Sequence, residues 1–102
     1  MELISKLSDM IEEELNDAEK YIKYAFNYKE ERKELADTFY TLSTEEIKHV
    51  NMLHTQVVTI IEEYKKTHGD PPEKMQGIYD YLHKKHIRKA ADIKAMQTVY
   101  KG

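Results

Sequence analysis

Hydrophobic residues recur along this chain at alternating steps of three and four, the spacing of one buried helical face. The first stripe reads Ile4, Leu7, Ile11, Glu14, Ala18, Tyr21, Ala25, Tyr28. After Tyr28 no apolar residue appears until Leu35, where a second stripe begins: Leu35, Phe39, Leu42, Glu46, His49, Leu53, Val57, Ile60, Tyr64. A third and thinner stripe carries Met75, Tyr79, Leu82, His86, Ala90, Ile93, Met96 and Tyr100. The pattern predicts an all-α chain of three long helices, at about residues 2–31, 34–66 and 72–100, in a single domain.

Two breaks divide these helices. In His68-Gly69-Asp70-Pro71-Pro72, Gly69 suits a helix end in a left-handed conformation, Asp70 suits a cap, and a proline suits the first turn of the next helix. The apolar gap at residues 29–34 is the place for a tight hairpin, since residues 2–66 as one helix would reach nearly 100 Å. Ile47, Val50, Ile61, Ile78 and Ile87 widen the apolar faces beyond a single seam. A bundle of four or more helices would use that width, so three helices lead us to expect a four-helix bundle completed by a second copy.

Composition narrows the chemistry. With no cysteine among 102 residues there are no disulfides, thiolate nucleophiles or cysteine zinc sites, which suits a reducing, cytoplasmic setting. The net charge of -3 gives no reason to expect nucleic acid or an anionic membrane as partner, and no apolar run is long enough to span a bilayer. Charge is segregated, at -5 over residues 1–31, -1 over 32–67 and +3 over 68–102, as suits acidic and basic neighbours in one bundle. The basic group Lys84, Lys85, Arg88 and Lys89 reads as a solvated or subunit-contacting face. Phosphate loops, HExxH, calcium loops and nucleophile elbows are missing, which removes the commoner enzyme classes.

Glu14, Glu46 and His49 stand on stripe positions otherwise filled by apolar side chains. A carboxylate buried there without compensation costs several kcal/mol or takes a proton, so the three call for an explanation. Glu46 and His49 are three residues apart in Glu-Ile-Lys-His, one helical turn, so an oxygen and an imidazole nitrogen lie side by side and could share an ion. Glu14 on the facing helix would add a further oxygen, although a turn centred near residue 32 leaves it about four residues, or 6 Å, out of depth with Glu46. Oxygen donors with a minority of imidazole suit iron, or alternatively manganese. On the third helix His83 borders the stripe and His86 lies on it, making His86 a further candidate ligand.

These residues carry a resemblance. Glu14, Ala18, Tyr21, Tyr24 and Ala25, followed by Leu35, Ala36, Phe39 and Glu45-Glu46-Ile47-Lys48-His49, are similar to the first two helices of the ferritin-like, rubrerythrin-type di-iron carboxylate proteins. The resemblance implies that Glu14, Glu46 and His49 are metal ligands and catalytic residues, with Glu46 bridging. A full member repeats the arrangement on two more helices, whereas no glutamate follows Glu73 here. The short encapsulated ferritin-like proteins, which build the centre between subunits, are the variant this chain most resembles. That likeness implies a homo-oligomer, at least a dimer, holding two ions and oxidising ferrous iron. The rival reading is a non-catalytic oligomeric helical interaction module in which the Glu-His group is a buried network without metal.

Overall fold

The computed structural model describes residues 2–102, which form three helices and no strand: α1 (Glu2–Tyr28), α2 (Lys33–His68) and α3 (Glu73–Lys101). Together they make a rod of 56 × 19 × 17 Å. No helix among the described residues is long and apolar enough to cross a membrane.

α1 and α2 form the hairpin placed in the apolar gap. The turn is short because Arg32 hands its amide to the Tyr28 carbonyl (2.8 Å) and offers its own carbonyl to the Ala36 amide (2.9 Å), so the backbone bridges one helix to the next without a glycine. At the other end of α2, Gly69 takes φ 76° and donates its amide to the Lys65 carbonyl at 3.0 Å. That positive φ is the reason for glycine here. Asp70 does not cap α3, and neither proline enters its first turn. Pro72 occupies the cap position, with its carbonyl accepting the Gln76 amide at 3.0 Å.

The expectation of a four-helix bundle is corrected by this fold. The chain is a three-helix bundle in which α3 lies along the hairpin, chiefly against α1, and closes the core on that side. Its position rotates the buried stripes away from the expected registers. On α1 the buried residues are Ile4, Ser8, Ile11, Leu15, Ala18, Ile22 and Ala25, so Leu15 and Ile22 are enclosed where Glu14 and Tyr21 were expected. On α2 they are Ala36, Ser43, Ile47, Val50 and Val57, one position on from Leu35, Leu42, Glu46 and His49. The sequence pattern permits either register, because apolar residues flank the two choices on both sides.

The core divides into a long cluster around Leu15, Ala18, Ile47, Val50, Val57 and Ile93 and a smaller one around Ile22, Ala25, Ala36 and Tyr100. Ser43, fully buried, lies beside Ala18. Its hydroxyl donates to the Ala18 carbonyl (2.7 Å) and accepts from Gln97 Nε2 (2.8 Å), tying all three helices at one point. Tyr100 adds a second tie, its hydroxyl donating to Asp37 at 2.6 Å while Lys29 donates to its carbonyl at 2.9 Å. The charge segregation is used within the chain: Lys85 pairs with Glu12 at 3.1 Å, and Lys89 donates to Asn16.

Leu15→Ala opens a void in a site with no exposed surface and lowers stability by about 2–5 kcal/mol. Ser43→Ala removes no apolar contact yet strands Gln97, and costs about 1–3 kcal/mol. Urea unfolding followed by circular dichroism checks both. A negligible loss for Ser43→Ala would show that the three-helix tie is idle.

Candidate functional site

α3 touches α1 through Glu12, Asn16 and Phe26, and the turn that follows α1 through Lys29. At 100° per residue, Glu14 points about 200° from both Glu12 and Asn16, onto the opposite side. That side of the hairpin carries two seven-residue repeats that α3 does not cover. They are Leu3, Leu7, Met10, Glu14, Asp17, Tyr21, Tyr24 and Tyr28 on α1, and Leu35, Phe39, Leu42, Glu46, His49 and Leu53 on α2. All of them keep partial or full exposure, Leu3 at 53% and Met10 at 42%. At one end Phe39 sits among Tyr21, Tyr24 and Tyr28 at ring-centroid distances of 6.2, 5.3 and 6.2 Å. Tyr21 is thus a packing residue of the open face.

Glu14, Glu46 and His49 meet in the middle of this face. One ligating atom from each lies within 4.8 Å of the others, and among the described residues no other three histidine or acidic side chains converge so closely. The hairpin turn removes the expected offset in depth: Glu14 stands 14 residues before the end of α1 and Glu46 stands 13 after the start of α2, so they come level. His49 Nδ1 donates to Glu14 Oε2 at 3.1 Å and lies 3.8 Å from Glu46 Oε1. The side chains are 27% (Glu14), 17% (Glu46) and 52% (His49) exposed, so the network lies at the rim of the core and opens outward.

Its electrostatics follow from one shared proton. Loss of solvent first, then the hydrogen bond and charge of its neighbour Glu14, together push the Glu46 carboxyl up to about 7. Glu14 is lowered, first because it accepts that hydrogen bond from Glu46 and then because it accepts another from His49. His49 is raised, chiefly by its bond to Glu14 and then by the charge of Glu46. Below about pH 7 the resting network is an ionised Glu14 between two donors, a protonated Glu46 and His49. The His49–Glu14 hydrogen bond holds without an ion, and each member is also of a type that binds one.

His86 is not part of this group. It lines a separate cleft between α2 and α3 with His54 and His83, and burial lowers its pKa. Sequence reasoning passed over His54 because it put Leu53 on the inner stripe. Registered on Ile47, Val50, Val57 and Ile61, that stripe passes through His54, and the same test that singled out Glu46 would have found it.

Compared with known protein families, with characterised proteins and with solved structures, the chain matches none of them.

The network gives stability a defined pH dependence in the cation-free protein. Glu46, raised to about 7, favours the fold while protonated, so its contribution fades as pH climbs from the ordinary 4.5 through about 7. His49, raised from 6.5, likewise contributes fully below 6.5 and loses its contribution above. Glu14, lowered, contributes above 4.5 and loses its contribution as pH falls through its lowered value. The network's contribution to the melting temperature is therefore greatest near pH 4.5 and falls from there through about pH 7, with His49 extending the fall above 6.5. Glu46→Gln, which copies the protonated carboxyl, removes most of that fall. A slope unchanged in this variant would show that Glu46 does not hold the proton.

Proposed function

We propose that this chain is a self-associating helical interaction module, and that the open side of its α1–α2 hairpin is the contact face. The observation that carries the reading is the pair of uncovered seven-residue repeats with the Glu14/Glu46/His49 network at their centre. Apolar repeats on two adjacent helices present the kind of surface that another helical pair packs into. A polar network among them penalises misaligned partners, because a shifted register would bury its charges unpaired. A second copy is the simplest occupant, since its own hairpin carries the same repeats and a two-fold axis would set them against each other. Laid on this face, it would complete a bundle of the ferritin-like kind that the sequence resembles.

A second reading has its own observation. Three ligating atoms within 4.8 Å, one of them on a carboxyl that holds its proton near neutrality, form a set that a divalent cation could occupy by displacing that proton. Two carboxylates and one imidazole per chain suit iron or manganese, and three donors fall short of the six that such ions commonly take. The face that lacks a covering helix is also the face where donors are wanting. Two copies would bring four carboxylates and two imidazoles to two ions, the donor count at which ferrous iron could be oxidised in pairs. Within one chain, Glu14 and His49 would orient the donors and Glu46 would yield its proton.

Sedimentation velocity on the metal-stripped chain tests the first reading, with anaerobic titration of ferrous or manganous ion for the second. A dimer that survives metal removal and dissociates on Leu42→Lys, but persists in Ile87→Lys on α3, supports the interaction module. A monomer at all accessible concentrations overturns it. Binding of about one ion per chain, lost in both Glu46→Ala and His49→Ala and strengthening as pH rises through about 7, supports the metal reading. Failure to bind either ion overturns that.

A further inference from the structure

Away from the open face, α2 and α3 diverge around a cleft of about 320 Å³ lined by Val50, Asn51, His54, His83, His86 and Lys94, among others. It holds three of the five histidines in the chain. His54 is five residues from His49, about 140° around α2, so this cleft and the Glu14/Glu46/His49 network are served by different sides of the helix. Its chemistry differs too, being imidazole without an acidic side chain along its lining.

We propose that His54, His83 and His86 form a second cation site, selective for a borderline ion of the zinc class. His54 Nε2 and His83 Nδ1 stand 3.1 Å apart. Two nitrogens each about 2.0–2.1 Å from one zinc ion lie at that separation when the angle between them is about 100°, close to tetrahedral. The rings are nearly parallel, at 14° with centroids 4.7 Å apart, so entry of an ion asks each to turn about its Cβ–Cγ bond. That torsion is soft for histidine. His86 follows His83 by one helical turn, and its Nε2 is shut off from solvent without any hydrogen-bond partner. An orphaned imidazole nitrogen lining the same cleft as a facing pair is a group an ion would satisfy, with His86 turning in as the third donor and water completing the shell.

Two features favour the binding form. Burial lowers the pKa of both His54 and His86, keeping them neutral at physiological pH, as metal ligation requires. Tyr79 stacks on His83 with ring centroids 5.7 Å apart, keeping that imidazole at the cleft. A lining that offers imidazole nitrogen and no carboxylate oxygen suits ions that bond strongly to imidazole over hard cations. An ion here would pin α3 to α2, where the two helices touch least.

The test is zinc(II) titration against a chromophoric chelator, using full-length chain carrying Glu46→Gln and His49→Ala so that the first network cannot contribute. One zinc per chain is expected. The affinity should fall by at least about tenfold, the loss already typical of disturbing an outer-shell partner, on adding His54→Ala or His83→Ala. It should not change with His68→Ala, which replaces an exposed histidine outside the cleft. Imidazole nitrogen NMR of the unsubstituted chain, independent of any folding defect in the variants, should show His54, His83 and His86 shifting together on zinc addition. No zinc uptake, uptake indifferent to His54→Ala and His83→Ala, or shifts confined to His49 and His68 would each overturn the proposal.

Discussion

A helical hairpin has two long sides, and α3 covers one of them. Once Lys85 meets Glu12, Lys89 meets Asn16 and Gln97 reaches Ser43, α3 is committed to the side of α1 opposite Glu14. Leu15 and Ile22 are then enclosed, and the repeats through Glu14 and Glu46 are left without a cover. Core, open face and network are consequences of that single choice of side. The acidic bias of the first helix and the basic bias of the third supply part of the preference, and Ser43 supplies a fixed point.

The network gains its properties from being at a rim. Deep burial would neutralise all three groups or demand further partners, and full exposure would leave each at its ordinary pKa. At this partial burial Glu46 holds its proton up to about pH 7, Glu14 stays ionised and His49 gains from it. A group in that state is stable alone and still responsive, whether the arriving element is a second hairpin that dries it or a cation that takes the place of the proton. The imidazole group between α2 and α3 is built on the other principle. His54 and His86 are driven toward neutrality by burial, with no carboxylate in the cleft lining to reward a charge.

Much of this was legible in the residue pattern, and the exceptions share one cause. Helix number and type follow from the three stripes and from Gly69, whose positive φ is seen. The pairing of Glu14 with Glu46 and His49 follows from stripe positions that no apolar residue fills. What the pattern could not give was rotation: Leu7, Glu14 and Tyr21 repeat with the same period as Ser8, Leu15 and Ile22, and the sequence has apolar residues on both tracks. Periodicity fixes a helix but not which of two adjacent tracks faces the core, because that depends on where α3 lies. The same one-residue ambiguity on α2 hid His54 behind Leu53 and placed Glu46 and His49 inward when they stand at the edge.

The central claim is that the uncovered hairpin face meets a second copy of itself. Because the chain has no cysteine, a single one introduced at Met10 carries a spin label at one known place on that face, and one at Ile78 serves as the comparison on α3. Pulsed electron paramagnetic resonance on each labelled protein reads the distance between chains directly. The account predicts a short, narrow distance distribution for the Met10 label and a longer or broader one for Ile78; no inter-chain coupling at Met10, or the narrow distance appearing at Ile78 instead, would contradict it.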